Sequence, residues 1–209
     1  MKKRDAKRQA ILDTAYRLFL TQGFDRTSVS QITAEVGGSK ATIYSHFPSK
    51  EVLFVECMTA AGDDYITATT AQSVAKLDTS ETDSGAVLRD YGISYLNFIC
   101  APDTVAARRL MIAEAARSGI GRLFLEKLSA MRAHVVDFLS HLMASGTLRR
   151  DDPQLAAEHL RGLLEAEIFE PLLLHARDDT PEEKEVSVAA DRAVAAFLRA
   201  YVPSRRGSM

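Results

Sequence analysis

Seven consecutive residues, Lys40-Ala41-Thr42-Ile43-Tyr44-Ser45-His46, carry three hydroxyls, an imidazole and an ammonium, with no acid among them. Wound as a helix, they turn Ile43 and Phe47 to one side at i, i+4. Lys40, Ala41, Thr42, Tyr44, Ser45 and His46 are left on the other. Small and hydrogen-bonding side chains on an outward face suit the edges of bases and the oxygens of phosphates. A helix that merely faces water is usually rich in Glu and Lys. Covalent or metal chemistry has less support. No Ser-His-Asp order, Gly-rich phosphate loop or nucleotide fingerprint is visible. His134 and His141 are seven residues apart and share a helix face, but no third ligand accompanies them. We therefore expect no catalytic residue, no metal and no cofactor.

A helix can be offered to a partner only if other elements hold it rigidly. Residues 6–20 place Ile11, Leu12, Ala15, Leu18 and Phe19 at helical spacing, and Gly23 ends that helix. Thr27 and Ser28 can cap a second helix over 28–35, where Ser28 and Gln31 have capping-box spacing. Gly37-Gly38 breaks it, and Gly37 can take positive φ without a Cβ clash. Ser39 caps the third helix, 40–46, and Pro48 ends it. Ser49 caps a fourth, reaching about residue 76. Ile11, Leu18, Phe19, Phe24, Val29, Ile32, Val36, Ile43, Phe47 and Leu53 can supply a shared core.

The rest of the chain also reads as helix: 86–100, 104–117, about 120–145, 153–176 and 182–201. A polar, flexible break is expected at 78–85 and a disordered tail at 204–209. No strand-like alternation and no repeat occurs, so the expected class is all-α. The chain has 209 residues, 46% hydrophobic and 26% charged, which is a globular composition. No apolar run is long enough to span a bilayer, and no secretory signal is recognisable. Cys57 and Cys100 lack metal or redox spacing and read as free thiols of a reducing compartment. Residues 1–60 hold nine Lys/Arg against six Asp/Glu, a local +3 in a chain of net charge −2, so the remainder carries −5. Only the head is suited to a polyanion. Lys2, Lys3 and Arg4, in the segment KKRDAKR, form either a flexible arm touching the nucleic-acid backbone or a solubilising tail.

The run GFDRTSVSQITAEVGGSKATIYSHFPSKEVLF resembles the DNA-binding domain of the TetR family of regulators. Gly23-Phe24, Thr27, Ile32, Gly37, Ser39, Tyr44, Phe47 and Ser49-Lys50-Glu51 all fall at family spacing, and the likeness covers about residues 6–55. Gly38 departs from it, standing where an apolar residue is usual, as does Thr33 in place of Ala. The first should loosen packing at the turn. The resemblance implies a three-helix helix-turn-helix domain over 1–50 and a larger helical ligand-binding and dimerisation domain over 51–203. It makes Ser39 to His46 the recognition helix, with Lys40, Ala41 and Thr42 reading bases. Tyr44 and Lys50 become phosphate contacts, joined by hydroxyls and amides at Thr27 and Ser28. Alternatives stay open: Thr27 as a cap, Tyr44 as packing, His46 as a bystander, Ser45 facing solvent.

Beyond residue 60 the likeness is looser. The stretch AARRLMIAEAARSGIGRLFLEKL is similar to an AefR- or AcrR-like subgroup. The resemblance makes the last two long helices a homodimer interface. Leu155, His159, Leu163 and Ala166 lie on one, and Val188, Ala195 and Leu198 on the other. A helix apolar over more than one face must bury both. The intervening helices would enclose a site for a small, largely apolar effector. Its candidates are Tyr91, Tyr95, Phe98, Met111, Glu114, Phe124, Met131, His134, Phe138 and Phe169, which equally describe an ordinary core. Arg108, Arg109 and Arg117 could simply pair with Glu114. The implied protein is a cytoplasmic bacterial regulator, a repressor released from a pseudo-palindromic double-stranded operator. It would have no membrane partner. An activator of the same fold, or a helical adaptor that binds no DNA, are the other readings.

Overall fold

The computed structural model describes residues 3–77 and 83–203. Lys2, most of the expected polar break and the 204–209 tail lie outside the described residues. Ten helices and no strand occur among those described. They are α1 (Lys3–Arg26), α2 (Val29–Val36), α3 (Lys40–His46), α4 (Lys50–Leu77), α5 (Ser84–Ile99), α6 (Pro102–Glu114), α7 (Ile120–Ala144), α8 (Pro153–Glu165), α9 (Phe169–Leu173) and α10 (Glu183–Tyr201). The fold is all-α, with a helix-turn-helix at its N-terminal end.

Two compact units form. The first comprises residues up to Ala61 together with Ala106–Ser129, and the second comprises Gly62–Val105 with the residues from Ala130 onward. The boundary expected at 50/51 therefore falls inside the first unit, which also recruits a segment distant in sequence. Met111 and Ile120 from that segment are buried in the same cluster as Ile11, Phe19, Ile32, Ile43 and Phe47. Apolar burial drives the recruitment, since each such side chain contributes about 1.5–3 kcal/mol when taken out of water. Phe19, Phe24 and Phe54 form an aromatic triangle with centroids 5.0–5.8 Å apart. The second unit packs α10 against α5 and α8. Phe138, Leu96, Leu160, Leu164 and Phe197 are among its fully enclosed side chains. Gly92 permits the close approach here: a Cβ on it would lie 2.9 Å from Leu164 Cδ2 and 3.5 Å from Ala190 Cβ.

Three expectations about elements are corrected. The helix drawn over 153–176 is broken at Ala166–Ile168, and α9 is a separate short helix. Pro171 explains this, because its nitrogen cannot donate to the carbonyl of Glu167 and its ring crowds that position. The helix drawn to residue 117 stops at Glu114, and positive φ at Ser118 (41°) and Gly119 (76°) turns the chain. The basic leader is not a flexible arm from residue 3 onward, since α1 starts at Lys3. Gly23 interrupts α1 with a non-helical φ of 79°, where a helix end was expected. Both cysteines are free and buried. Burial raises both thiols, Cys100 to about 12, so neither forms a thiolate at neutral pH.

Candidate nucleic-acid interface

α2 begins with a complete capping box. Ser28 Oγ accepts from Gln31 N at 3.2 Å, and Gln31 Oε1 accepts from Ser28 N at 3.4 Å. Its C-terminus is closed by Gly37, whose N–H donates to Thr33 O. Gly37 and Gly38 both have positive φ, 76° and 106°. The glycine at 38 is therefore required by the backbone, and the turn uses two left-handed residues where one was expected. Ser39 caps α3, accepting from Thr42 N at 3.2 Å. Ile43 and Phe47 are buried at i, i+4 and pin α3 to the first unit's core.

The outward face is as the spacing implied. Lys40, Ala41, Tyr44 and Ser45 are exposed, and Thr42 and His46 are half-buried. Tyr44 is 46% exposed, so its ring is not enclosed in the core. The Ser39 and Thr42 hydroxyls lie 3.1 Å apart in a hydrogen bond, and Ser45 Oγ donates to Thr42 O at 2.8 Å. These local bonds orient the hydroxyls before any partner arrives. His46 lies beside the Phe47 ring, centroids 6.2 Å apart. Ser39 and Ser28 are exposed, as a helix N-terminus offering amides to an anion requires.

Thr27 is corrected. It is fully buried, and its hydroxyl donates to Leu18 O at 3.2 Å and Gly23 O at 2.9 Å. It ties the end of α1 to the start of α2 and offers no hydroxyl to a phosphate. Lys50 stands at the first position of α4 with Nζ 4.2 Å from the Phe24 ring centroid. Partial burial lowers its pKa, against the opposing pull of Asp25, Glu51 and Glu114. Arg4 is exposed on α1, while only the backbone of Lys3 is described.

The basic segment KKRDAKR includes Lys7 and Arg8, but no sequence signal gave these or Arg17 the structural roles they take. Lys7 Nζ donates to Val36 O at 2.9 Å and Gly37 O at 2.8 Å. Arg8 pairs with Glu56 at 2.9 Å and lies over the Phe47 ring. Arg17 pairs with Glu35 on α2. The available clue was that Lys7 precedes the buried Ile11 by four residues and so continues its stripe toward neighbouring elements.

The effector candidates fall into two groups. Met111, Glu114 and Phe124 belong to the first unit. Met111 is buried in its core, Glu114 Oε2 pairs with Arg117 Nε at 2.8 Å, and Phe124 lies under the Arg108 guanidinium. Arg117 also grips Asp25 at 2.6 Å. Tyr91, Tyr95, Phe98, Met131, His134, Phe138 and Phe169 belong to the second. Tyr91 stacks with Tyr95 and tilts against Phe138, each at 6.1 Å. Tyr95 Oη donates to Glu165 Oε1 at 2.6 Å, and Phe98 stacks on Tyr65 at 4.7 Å. Met131 and Phe169 are buried and His134 is half-buried.

On α8 and α10 of the second unit, Leu155, Leu163 and Val188 are 49%, 36% and 37% exposed. His159, Ala166 and Ala195 are exposed beside them, and Leu198 is half-buried. His159 Nδ1 lies 2.7 Å from Tyr201 Oη. Among the described residues, no helix is long and apolar enough to cross a membrane, and no three His, Cys, Asp or Glu group as metal ligands.

Residues 11–57 match the family model described as bacterial regulatory proteins, tetR family. Residues 86–203 match the model of the AefR-like transcriptional repressor C-terminal domain. The HTH-type transcriptional repressor ComR of Escherichia coli is 28% identical over 186 residues, covering 87% of this chain and 85% of ComR. A TetR-family transcriptional regulator from Mesorhizobium loti superposes with a TM-score of 0.80 at 27% identity, over 97% of this chain and all of that one. The Flavonoid-responsive Regulator FrrA superposes with a TM-score of 0.69 at 29% identity, over 96% of this chain and 99% of that one.

Proposed function

This chain belongs to the TetR family of bacterial transcriptional regulators, which are not enzymes, and on that premise we propose how it reads and releases DNA. Family members bind operator DNA and dimerise. In our reading, two copies pair through α8 and α10 and lodge two α3 helices in successive major grooves of a pseudo-palindromic operator. Lys40, Ala41 and Thr42 read base edges. Ser28, Ser39, Tyr44, Ser45 and Lys50 hold phosphates, with Arg4 adding sequence-independent attraction. The observation that carries this is the acid-free outward face of α3, capped by Ser39 and pinned from behind by Ile43 and Phe47.

The regulator acts as a repressor, as the name of its relative ComR suggests, and works in the cytoplasm, where its DNA is. A small, largely apolar effector lowers its DNA affinity. The favoured contacts are the second-unit group Tyr91, Tyr95, Phe98, Met131 and His134, since FrrA, of similar fold, is named as flavonoid-responsive. The effector needs only differential affinity for two states, and about 1–3 kcal/mol of coupling suffices. Selection of bound duplexes from a random pool tests the DNA reading. An inverted repeat with half-sites about one helical turn apart is expected. Sequences without two-fold symmetry would overturn it. Titrating the complex with aromatic compounds tests the effector, and a tight binder that leaves DNA affinity unchanged would count against it.

A further inference from the structure

We propose that Lys7 is a positioning residue for sequence readout: its ammonium fixes the glycine hinge that aims α3, and it is not a phosphate contact. This rests on the reading of α3 as the base-reading helix. The observations begin at the hinge. Gly37 and Gly38 are adjacent left-handed residues with φ of 76° and 106°, and no heavy atom lies within 4 Å of where a Gly37 Cβ would stand. Two glycines in succession have the greatest conformational freedom a chain can have, and here they bring no side chain to limit it. α3 is only seven residues long. A helix that short does not set its own direction. Its far end is held by the buried Ile43 and Phe47. Its near end, where Ser39, Lys40 and Ala41 sit, continues directly from the hinge.

Lys7 supplies what the hinge lacks. Its Nζ donates to Val36 O at 2.9 Å and to Gly37 O at 2.8 Å, spanning the residues on which α2 ends and the hinge begins. The same Nζ would be 3.8 Å from a Cβ on Gly38, among its nearest atoms along with those of Thr42. The carbonyls at the end of α2 have no helical N–H to accept from and carry the negative end of the helix dipole, so a cation is the favoured partner. The stem of Lys7 starts one turn before the buried Ile11, so the clamp is referred to the first unit's core. An ammonium has three N–H groups, and two are committed to these carbonyls. The proposed effect is on the aim of the reading helix, and the salt slope separates it from phosphate neutralisation, which the third N–H and the charge would otherwise allow.

The test compares wild type with Lys7→Met, which keeps the stem and removes the donors and the charge. Affinities are measured by anisotropy over a range of salt, for a duplex that the wild-type protein selects from a random pool and for its scrambled counterpart. Thermal melts establish that both proteins are folded at the assay temperature. The variant is expected to lose about tenfold on the selected duplex and to keep its affinity for the scrambled one, with an unchanged salt slope. Amide exchange at Gly38 should quicken. An equal loss on both duplexes, with a slope flatter by about one, would make Lys7 a phosphate contact and overturn the proposal. No change on either duplex would overturn it equally. A wild-type protein that fails to discriminate the two duplexes would instead refute the reading of α3, so the two failures are distinguishable.

Discussion

At the scale of single residues, the interface separates side chains that meet DNA from those that hold them in place, and the two kinds respond differently to substitution. Thr27 is of the second kind. Its methyl is enclosed and its hydroxyl bridges Leu18 O and Gly23 O. Thr27→Val should cost about 1–2 kcal/mol, read as a lower urea midpoint at unchanged m. The salt slope of DNA binding should be that of wild type, because no phosphate contact is lost. Lys50 combines both kinds in the proposed reading. Its ammonium is seated on Phe24, and burial lowers its pKa from the usual 10.5. The folded state thus binds fewer protons than the unfolded state as pH approaches 10.5 from below. Wild type should gain stability with rising pH through that window, and Lys50→Met should lack the gain. Paired denaturation curves from neutral to alkaline pH check it, and parallel curves would refute it. The same variant should bind all duplexes less tightly, with a salt slope flatter by about one. The family resemblance could list Thr27 and Lys50 as contacts. It could not show that one hydroxyl faces inward, because a threonine before a helix has the same sequence signature whether it caps, bridges or contacts.

At the scale of elements, what was legible followed from local chemistry. Ser28 with Gln31, Ser39, Ser49 and Asp152-Pro153 each mark a helix start, and each cap forms: Ser49 Oγ accepts from Val52 N at 3.2 Å, and Asp152 from Gln154 N at 2.8 Å. Caps depend on three or four neighbouring residues, so they can be read from sequence. The break between α8 and α9 was missed because the apolar stripe from Leu155 to Leu173 runs through it, and periodicity is blind to the one nitrogen Pro171 lacks. The recruitment of Ala106–Ser129 into the first unit was equally out of reach, since it depends on long-range burial of Met111 and Ile120 that leaves no local pattern. Glycines show the same division. Gly37 announces a turn, but nothing in the sequence tells that Gly92 sits where α5 meets α8. That contact can be tested. Gly92→Val would push a branched side chain into Leu164 Cδ2 and Ala190 Cβ, 2.9 and 3.5 Å from the new Cβ. Overpacking of this kind costs about 1–3 kcal/mol. A melting temperature equal to that of wild type would mean that α5 and α8 separate more easily than their packing implies.

At the scale of the whole molecule, the proposed pairing through α8 and α10 has consequences for how DNA is bound. The faces that point inward are already satisfied: Ala156, Ala157, Leu160 and Leu164 on α8, and Ala190, Val194 and Phe197 on α10, are buried within one copy. Leu155, Leu163 and Val188 are 36–49% exposed, and in the proposed pairing a second copy covers them. Covered by a second copy, they would join two reading helices into one ligand for DNA. The second half-site would then be bound at the effective concentration set by the first, with no new contact to DNA. Leu163→Glu combined with Val188→Glu should place carboxylates in that face without touching either buried core. The double variant is therefore expected to melt as a folded, helical protein and to sediment as a monomer, while wild type sediments as a dimer. Its affinity for the selected inverted repeat should fall by about 10²-fold or more, toward that of a single half-site. Its affinity for an isolated half-site should stay within about twofold of wild type, because α3 and its supports lie in the other unit and surface changes remote from a contact rarely move it. A double variant that still sedimented as a dimer would remove α8 and α10 as the joining surface. A monomer that kept full affinity for the inverted repeat would show that one copy suffices to read it.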